Sequence, residues 1–167
     1  MTKPNNILLI LLIIAGTSVA GCNKSGDGRN PCLVPRRYFL TMQTCNAADT
    51  GSAGVAVKLP SPQVGYVDTA IWFADGKAPS NSFTGPLSSV ADSTRWFIAP
   101  DTNFPDAKDT IVFYYQRVPV FLSTGCGYTM KYSLQYLSVT KNIIDSARVE
   151  AAEVNGTKDV IHVKVFY

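Results

Sequence analysis

A chain of 167 residues with 15 basic residues, 12 acidic residues and one histidine carries a formal net charge of +3. Charged residues make up only 16% of it, against about a quarter in typical domains. The only adjacent basic pair is Arg36-Arg37, so a nucleic-acid partner, which needs a stripe of Lys and Arg, is excluded.

The N-terminus comes first. Lys3 precedes an unbroken apolar run, Ile7 to Ala15, and small residues then lead to Cys22. A charged start, a short apolar segment and a small-residue cleavage zone make a signal peptide. The run is too short for a membrane span, which takes about 20 apolar residues. It also has no polar face, as a core helix would. Ser18-Val19-Ala20-Gly21-Cys22 resembles the lipobox of bacterial lipoproteins. The resemblance implies removal of residues 1–21 and a thioether-linked diacylglycerol on Cys22, with palmitate-type acylation of the new amino group. Each buried lipid methylene is worth about 0.8 kcal/mol, so two or three chains anchor a protein stably. In such lipoproteins an Asp after the lipidated cysteine retains the protein in the inner membrane. Here Asn23 follows Cys22, so the outer membrane is expected. Lys24 and Asp27 resemble the charged export signals of surface lipoproteins, and the sequence does not choose between the periplasmic and surface faces.

Removal of residues 1–21 leaves 146 residues and a charge of +2, which suits one domain of ordinary size. Residues 22–31 form the lipidated cysteine and a polar tether that extends about 30 Å. The domain is expected over 32–167. Its strand-like segments are Arg36–Cys45, Val55–Leu59, Val67–Phe73, Thr94–Ile98, Thr110–Arg117, Val120–Ser123, Tyr128–Leu137, Ile143–Val154 and Val160–Tyr167. Gly-Ser, Ser-Pro, Asp-Gly, Gly-Pro and Pro-Asp pairs separate them. The pattern predicts an all-β fold, a single antiparallel β-sandwich of immunoglobulin-like architecture, with a small β-barrel as the alternative. Ile111, Phe113 and Tyr115 face opposite Val112 and Tyr114. Met130, Tyr132, Leu134 and Tyr136 alternate with Lys131, Ser133 and Gln135. Asn155-Gly156 predicts a two-residue type I′ hairpin turn.

Three cysteines remain after Cys22: Cys32, Cys45 and Cys126. An exported compartment is oxidising, so one bridge is expected. If Arg36–Cys45 is one strand, Cys32 and Cys45 lie roughly 30–40 Å apart along it. A disulfide needs Cα atoms within about 7 Å. Cys126 therefore pairs with one of the two, and spacing does not choose which.

The stretch DTIVFYYQRVPVFLSTGCGYTMKYSL, followed by VIHVKVFY, resembles a family of uncharacterised Bacteroidota lipoproteins. The shared features are Cys32 with Pro35-Arg36, Phe121-Leu122-Ser123, Cys126-Gly127-Tyr128 and the closing His162-Val163. The resemblance implies a Cys32–Cys126 bridge, with Cys45 as an extra thiol. It carries over no catalytic residue.

Few other residues point to chemistry. His162 is the only histidine, and neither an HxxxH nor a G-x-S-x-G pattern is present. A zinc site or a Ser-His-Asp triad would need more, so no enzyme and no cofactor is expected. His162 reads as a residue on the polar side of a strand. Asp101, Asn103, Asp106 and Asp109 crowd one segment, but their spacing is not that of a calcium loop, and no metal is expected. Trp72-Phe73 and Trp96-Phe97 are aromatic doublets whose members face opposite ways in a strand. Trp72 and Trp96 are candidates for stacking on a sugar or a partner, against coverage by residues 74–93. Thr69, Ser93, Thr110 and Ser146 each follow an aspartate in a way that resembles bacterial O-glycosylation sites. The sequence thus predicts a non-enzymatic, lipid-anchored envelope protein, a structural or partner-binding module whose partner is another envelope protein or a glycan. The second reading is a small carbohydrate- or ligand-binding lipoprotein using exposed aromatics.

Overall fold

The computed structural model describes residues 37–48, 54–123 and 126–167. The chain divides into Met1–Leu33 and Val34–Tyr167, and every described residue belongs to the second unit. The expected signal peptide 1–21, Cys22, Asn23, the tether to residue 31 and Cys32 lie outside the described residues.

The strands are β1 (Phe39–Cys45), β2 (Gln63–Tyr66), β3 (Trp72–Asp75), β4 (Ser82–Pro86), β5 (Ser93–Ala99), β6 (Asp109–Ser123), β7 (Gly127–Val139), β8 (Ser146–Val149), β9 (Glu153–Val154) and β10 (Val163–Phe166). They form two sheets, ordered β4-β1-β10-β8 and β3-β2-β5-β6-β7-β9. The fold is all-β, with no helix among the described residues. One pairing departs from the expected antiparallel arrangement. β1 and β10 run parallel, with Met42 opposite Val163 and Cys45 opposite Phe166. A parallel pair needs a long connection, and here nearly the whole domain supplies it.

Alternation builds the core. Leu40 and Met42 of β1, Trp96 and Ile98 of β5, Ile111, Phe113 and Tyr115 of β6, and Val163 and Val165 of β10 are all buried. Each such side chain contributes about 1.5–3 kcal/mol through burial. Trp96 sits in the middle, with ring centroids 4.7 Å from Phe73 and 4.8 Å from Phe113. Gly85 makes room for it. A Cβ there would lie 2.8 Å from the Phe73 ring and 2.9 Å from Trp96.

Several boundaries differ from expectation for local physical reasons. Val55–Leu59 makes only isolated bridges at Ala56 and Leu59. Val67–Phe73 is a turn followed by β3, and the chain pairs earlier, in β2. Strand β6 runs unbroken through Pro119. Its neighbour β5 ends opposite Tyr114, so beyond that point one side of β6 is an edge, where a sheet tolerates proline. In β7 a bulge leaves Gln135 unpaired between Leu134 and Tyr136. The extra residue reverses the alternation. Tyr132 and Leu134 are buried, but Tyr136 is exposed and stacks on Tyr114 at 4.3 Å.

The segment Ile143–Val154 is two strands, not one. β8 pairs with β10 in one sheet and β9 pairs with β7 in the other, so the chain changes sheets between them. This overturns the two-residue hairpin at Asn155-Gly156, since β9 and β10 belong to different sheets. Asn155 instead closes a local turn, its Oδ1 accepting from the Thr157 amide at 3.1 Å and the Thr157 hydroxyl at 2.7 Å. Gly156 has φ +85, and a Cβ on it would lie 2.5 Å from the Tyr38 ring.

Candidate functional site

The β6–β7 hairpin outruns its cover. Near its base the inward face carries Ile111, Phe113 and Tyr115, all buried. By alternation the same face continues to Arg117, Pro119 and Phe121, paired with Tyr132, Met130 and Tyr128. Towards the tip that face is open among the described residues. Phe121 and Tyr128 are both exposed, Tyr128 to 71%, and meet edge to face at 5.2 Å. The overhang forms one wall of an open cleft of about 870 Å³. Its other walls are Arg37-Tyr38, Tyr66 with the turn at Asp68-Thr69, the segment Pro86–Ser89, and the start of β5.

Tyr66 and Tyr132 line the cleft, and Tyr115 lies buried behind it. The Tyr66 hydroxyl donates to the Pro86 carbonyl at 2.7 Å and the Tyr132 hydroxyl to the Leu87 carbonyl at 3.4 Å. The Tyr115 hydroxyl donates to the Ser88 carbonyl at 3.1 Å and lies 2.6 Å from Thr94 Oγ1. Together they pin the 86–88 backbone. Burial pushes the Tyr66 phenol up to about 12 and raises Tyr115 and Tyr132 as well, so all three stay neutral near neutral pH. The rim is charged. Arg95 pairs with Asp68 at 2.6 Å. Arg37 is exposed and has no carboxylate partner among the described residues. Arg117 ties the neighbouring loop, donating to Asp92 at 2.7 Å and to the Ser89 carbonyl at 3.1 Å.

A family described as "Family of unknown function (DUF6452)" matches residues 65–167, more than half of the chain. The chain belongs to this family. No curated protein and no solved structure matches it. Within the DUF6452 match lie every cleft residue except Arg37 and Tyr38.

The residues singled out from sequence scatter across the DUF6452 fold. Trp96 is a correction. It is 0% exposed, enclosed by Phe73, Phe113 and β4, so no ligand can stack on it. Trp72 is 46% exposed but lies away from the cleft, edge to face with Phe97 at 5.6 Å. Each doublet does split between core and surface: Phe73 faces in beside Trp96, and Phe97 faces out beside Trp72. Of the candidate glycosylation sites, Thr69 and Ser146 are exposed, while Ser93 and Thr110 are half-buried. Thr69 and Ser93 also line the cleft.

The oxygen-rich segment does not converge. The Asp101 carboxylate accepts from Ser61 Oγ at 2.8 Å and from the Asn103 backbone and side-chain amides. Asp109 is buried elsewhere, accepting from Thr140 Oγ1 and from the amides of Asn142, Ile143 and Ile144 at 2.8–2.9 Å. Burial alone would raise its carboxyl, but these bonds outweigh it and hold the group below the ordinary carboxylate range. No cluster of His, Cys, Asp or Glu suited to a metal occurs among the described residues.

His162 is buried, not on a polar face as expected. It lies just before β10, where Nδ1 accepts from the Thr41 amide at 3.0 Å and its own amide donates to the Thr41 carbonyl at 2.9 Å. Its carbonyl accepts from the Glu150 amide at 2.8 Å. Burial holds the imidazole below its ordinary value. Cys45 is a reduced, buried thiol in β1 and Cys126 is not a reduced thiol. The residues that sequence reasoning passed over are Arg37, Tyr66 and Tyr128. Tyr128 belongs to the Cys-Gly-Tyr motif, but only the overhang of the hairpin exposes it.

Proposed function

We propose that this DUF6452 protein is a lipid-anchored component of the outer membrane, attached through Cys22, whose domain acts by binding and not by catalysis. The cleft carries the reading. It combines an exposed aromatic ring, an arginine without a carboxylate partner among the described residues, and several hydroxyls, in an opening of about 870 Å³, within the usual range for small-ligand sites. The enclosure of the sole histidine, with Nδ1 already engaged, supports a non-catalytic role, because a general base must reach its proton. The lipobox-like Ser18–Cys22 supports the anchor. In the same reading Cys126 pairs with Cys32, and Thr69 and Ser146 are the accessible O-glycosylation sites. The test is acylation in cells. Labelled palmitate should enter the wild-type protein and not Cys22→Ala, and the variant should leave the membrane fraction. Palmitate on Cys22→Ala would reject the anchor.

A further inference from the structure

We propose that the cleft takes an anionic saccharide, its acid group on Arg37 and a sugar ring on Tyr128; this rests on the reading of the cleft as the binding site. Three features select that chemistry. First, the charge on the walls is unbalanced. Arg95 is matched by Asp68 at 2.6 Å, which leaves Arg37 as a positive charge with no described counterion. Arg37 lines the same cleft as Tyr66, Tyr132 and Tyr128. A guanidinium so placed matches a carboxylate or phosphate bidentately.

Second, the Tyr128 ring is 71% exposed and is held edge-on by Phe121 at 5.2 Å. A braced, uncovered ring offers a flat apolar face, and its hydroxyl end stays polar. That combination suits the apolar face of a pyranose. Third, the remaining surface is hydroxyl-rich, with Ser88, Ser89 and Ser93 among its lining. An open, hydroxylated cleft exchanges hydrogen bonds with a hydrated ligand at little desolvation cost, whereas a lipid tail would need an enclosed apolar one. The acid group could be a uronic carboxylate or a phosphate, and both present the same anion to Arg37.

The experiment uses the full-length chain in detergent micelles, with titration calorimetry against four probes: a galacturonate tetramer, a galactose tetramer, mannose 6-phosphate and a tetraglutamate peptide. The galacturonate tetramer should bind, weakening with added salt. Arg37→Gln and Tyr128→Ala should each weaken it about tenfold or more, the loss of one charge-assisted contact or one stacked ring. Both positions are exposed, so melting temperatures should stay at the wild-type value. Mannose 6-phosphate binding that Arg37→Gln abolishes would extend the assignment to phosphate; its absence beside galacturonate binding assigns carboxylate. Equal binding of the neutral tetramer would overturn the anionic assignment while leaving the cleft as the site. Equal or tighter binding of tetraglutamate would overturn the saccharide. Binding that neither substitution affects, or no binding to any probe, would overturn the cleft reading itself.

Discussion

The base and the tip of the β6–β7 hairpin carry the same pattern and meet different fates. At the base, Ile111, Phe113 and Tyr115 face Trp96 and the opposite sheet, and none is exposed. Next to them Asp109 gathers the 140–144 segment through its buried carboxylate. At the tip, Phe121 and Tyr128 continue the same face of the strand pair, yet both are exposed. The difference lies in the neighbours and not in the residues. The pairing with β5 stops at Tyr114, and Phe121 and Tyr128 lie beyond it. An aromatic residue stabilises the fold where a second layer covers it and stays open to solvent where none does.

The comparison breaks most sharply at Trp96. Trp96→Ala empties the densest part of the base, and its indole N–H has no partner among the described residues, so packing alone holds it. A loss of about 3–5 kcal/mol is expected, read as a shift in the denaturant midpoint with the slope unchanged. A loss below that of an exposed residue would mean that Trp96 is not central.

Asp109→Ala comes next. It strands the buried amides of Ile143 and Ile144, at a cost of about 1–3 kcal/mol. The sign of its pH dependence follows from its depressed carboxyl. A group lowered on folding stabilises fully above its unfolded value of about 3.9, and that contribution fades as pH falls through the folded value. The variant should therefore lose less stability than wild type on acidification below about pH 4. Equal acid sensitivity would discount the network.

His162→Gln sharpens the contrast on the other side of the core. Its imidazole is lowered by burial, so its contribution is complete above the unfolded value of about 6.5. It is lost as pH falls from there towards the folded value, because the unfolded chain takes up the proton first. The wild type should lose stability as pH falls below about 6.5, and the variant should be flatter there in thermal melts. Its loss at neutral pH should be about 1–2 kcal/mol, since glutamine replaces only part of the imidazole's hydrogen bonding to the backbone of Thr41 and Glu153.

The smallest effect belongs to the tip. Phe121→Ser should change stability by no more than about 0.5 kcal/mol, as expected for a surface site. A cost like that of Trp96→Ala would show that something covers the tip.

Much of this was legible in the residues. The alternation at 111, 113 and 115 placed those residues together on one face, because strand geometry leaves only two directions for a side chain, but that strand is apolar on both faces, and only the fold shows that this face is the buried one. Each aromatic doublet split as that rule requires. Which member of each faced inward depended on pairing: Phe97 and Trp72 come together on the outer face across Gly65, a relation between strands distant in sequence. The bulge at Gln135 lay beyond local pattern for a similar reason, since one unpaired residue exists only relative to a partner strand. Asn155-Gly156 spelled a hairpin, but β9 and β10 joined different sheets, and long-range pairing overrode the local turn preference. The cleft was the least legible of all. Arg37, Tyr66 and Tyr128 are distant in sequence and ordinary in type, and only the overhang of one hairpin past its neighbours assembles them. By itself, then, the sequence determined the all-β class and which residues of its long strands share a face, because both follow from local geometry. Sheet membership, the parallel β1–β10 pairing and the open cleft were decided by tertiary structure, because each depends on which distant strand lies alongside and where its cover stops.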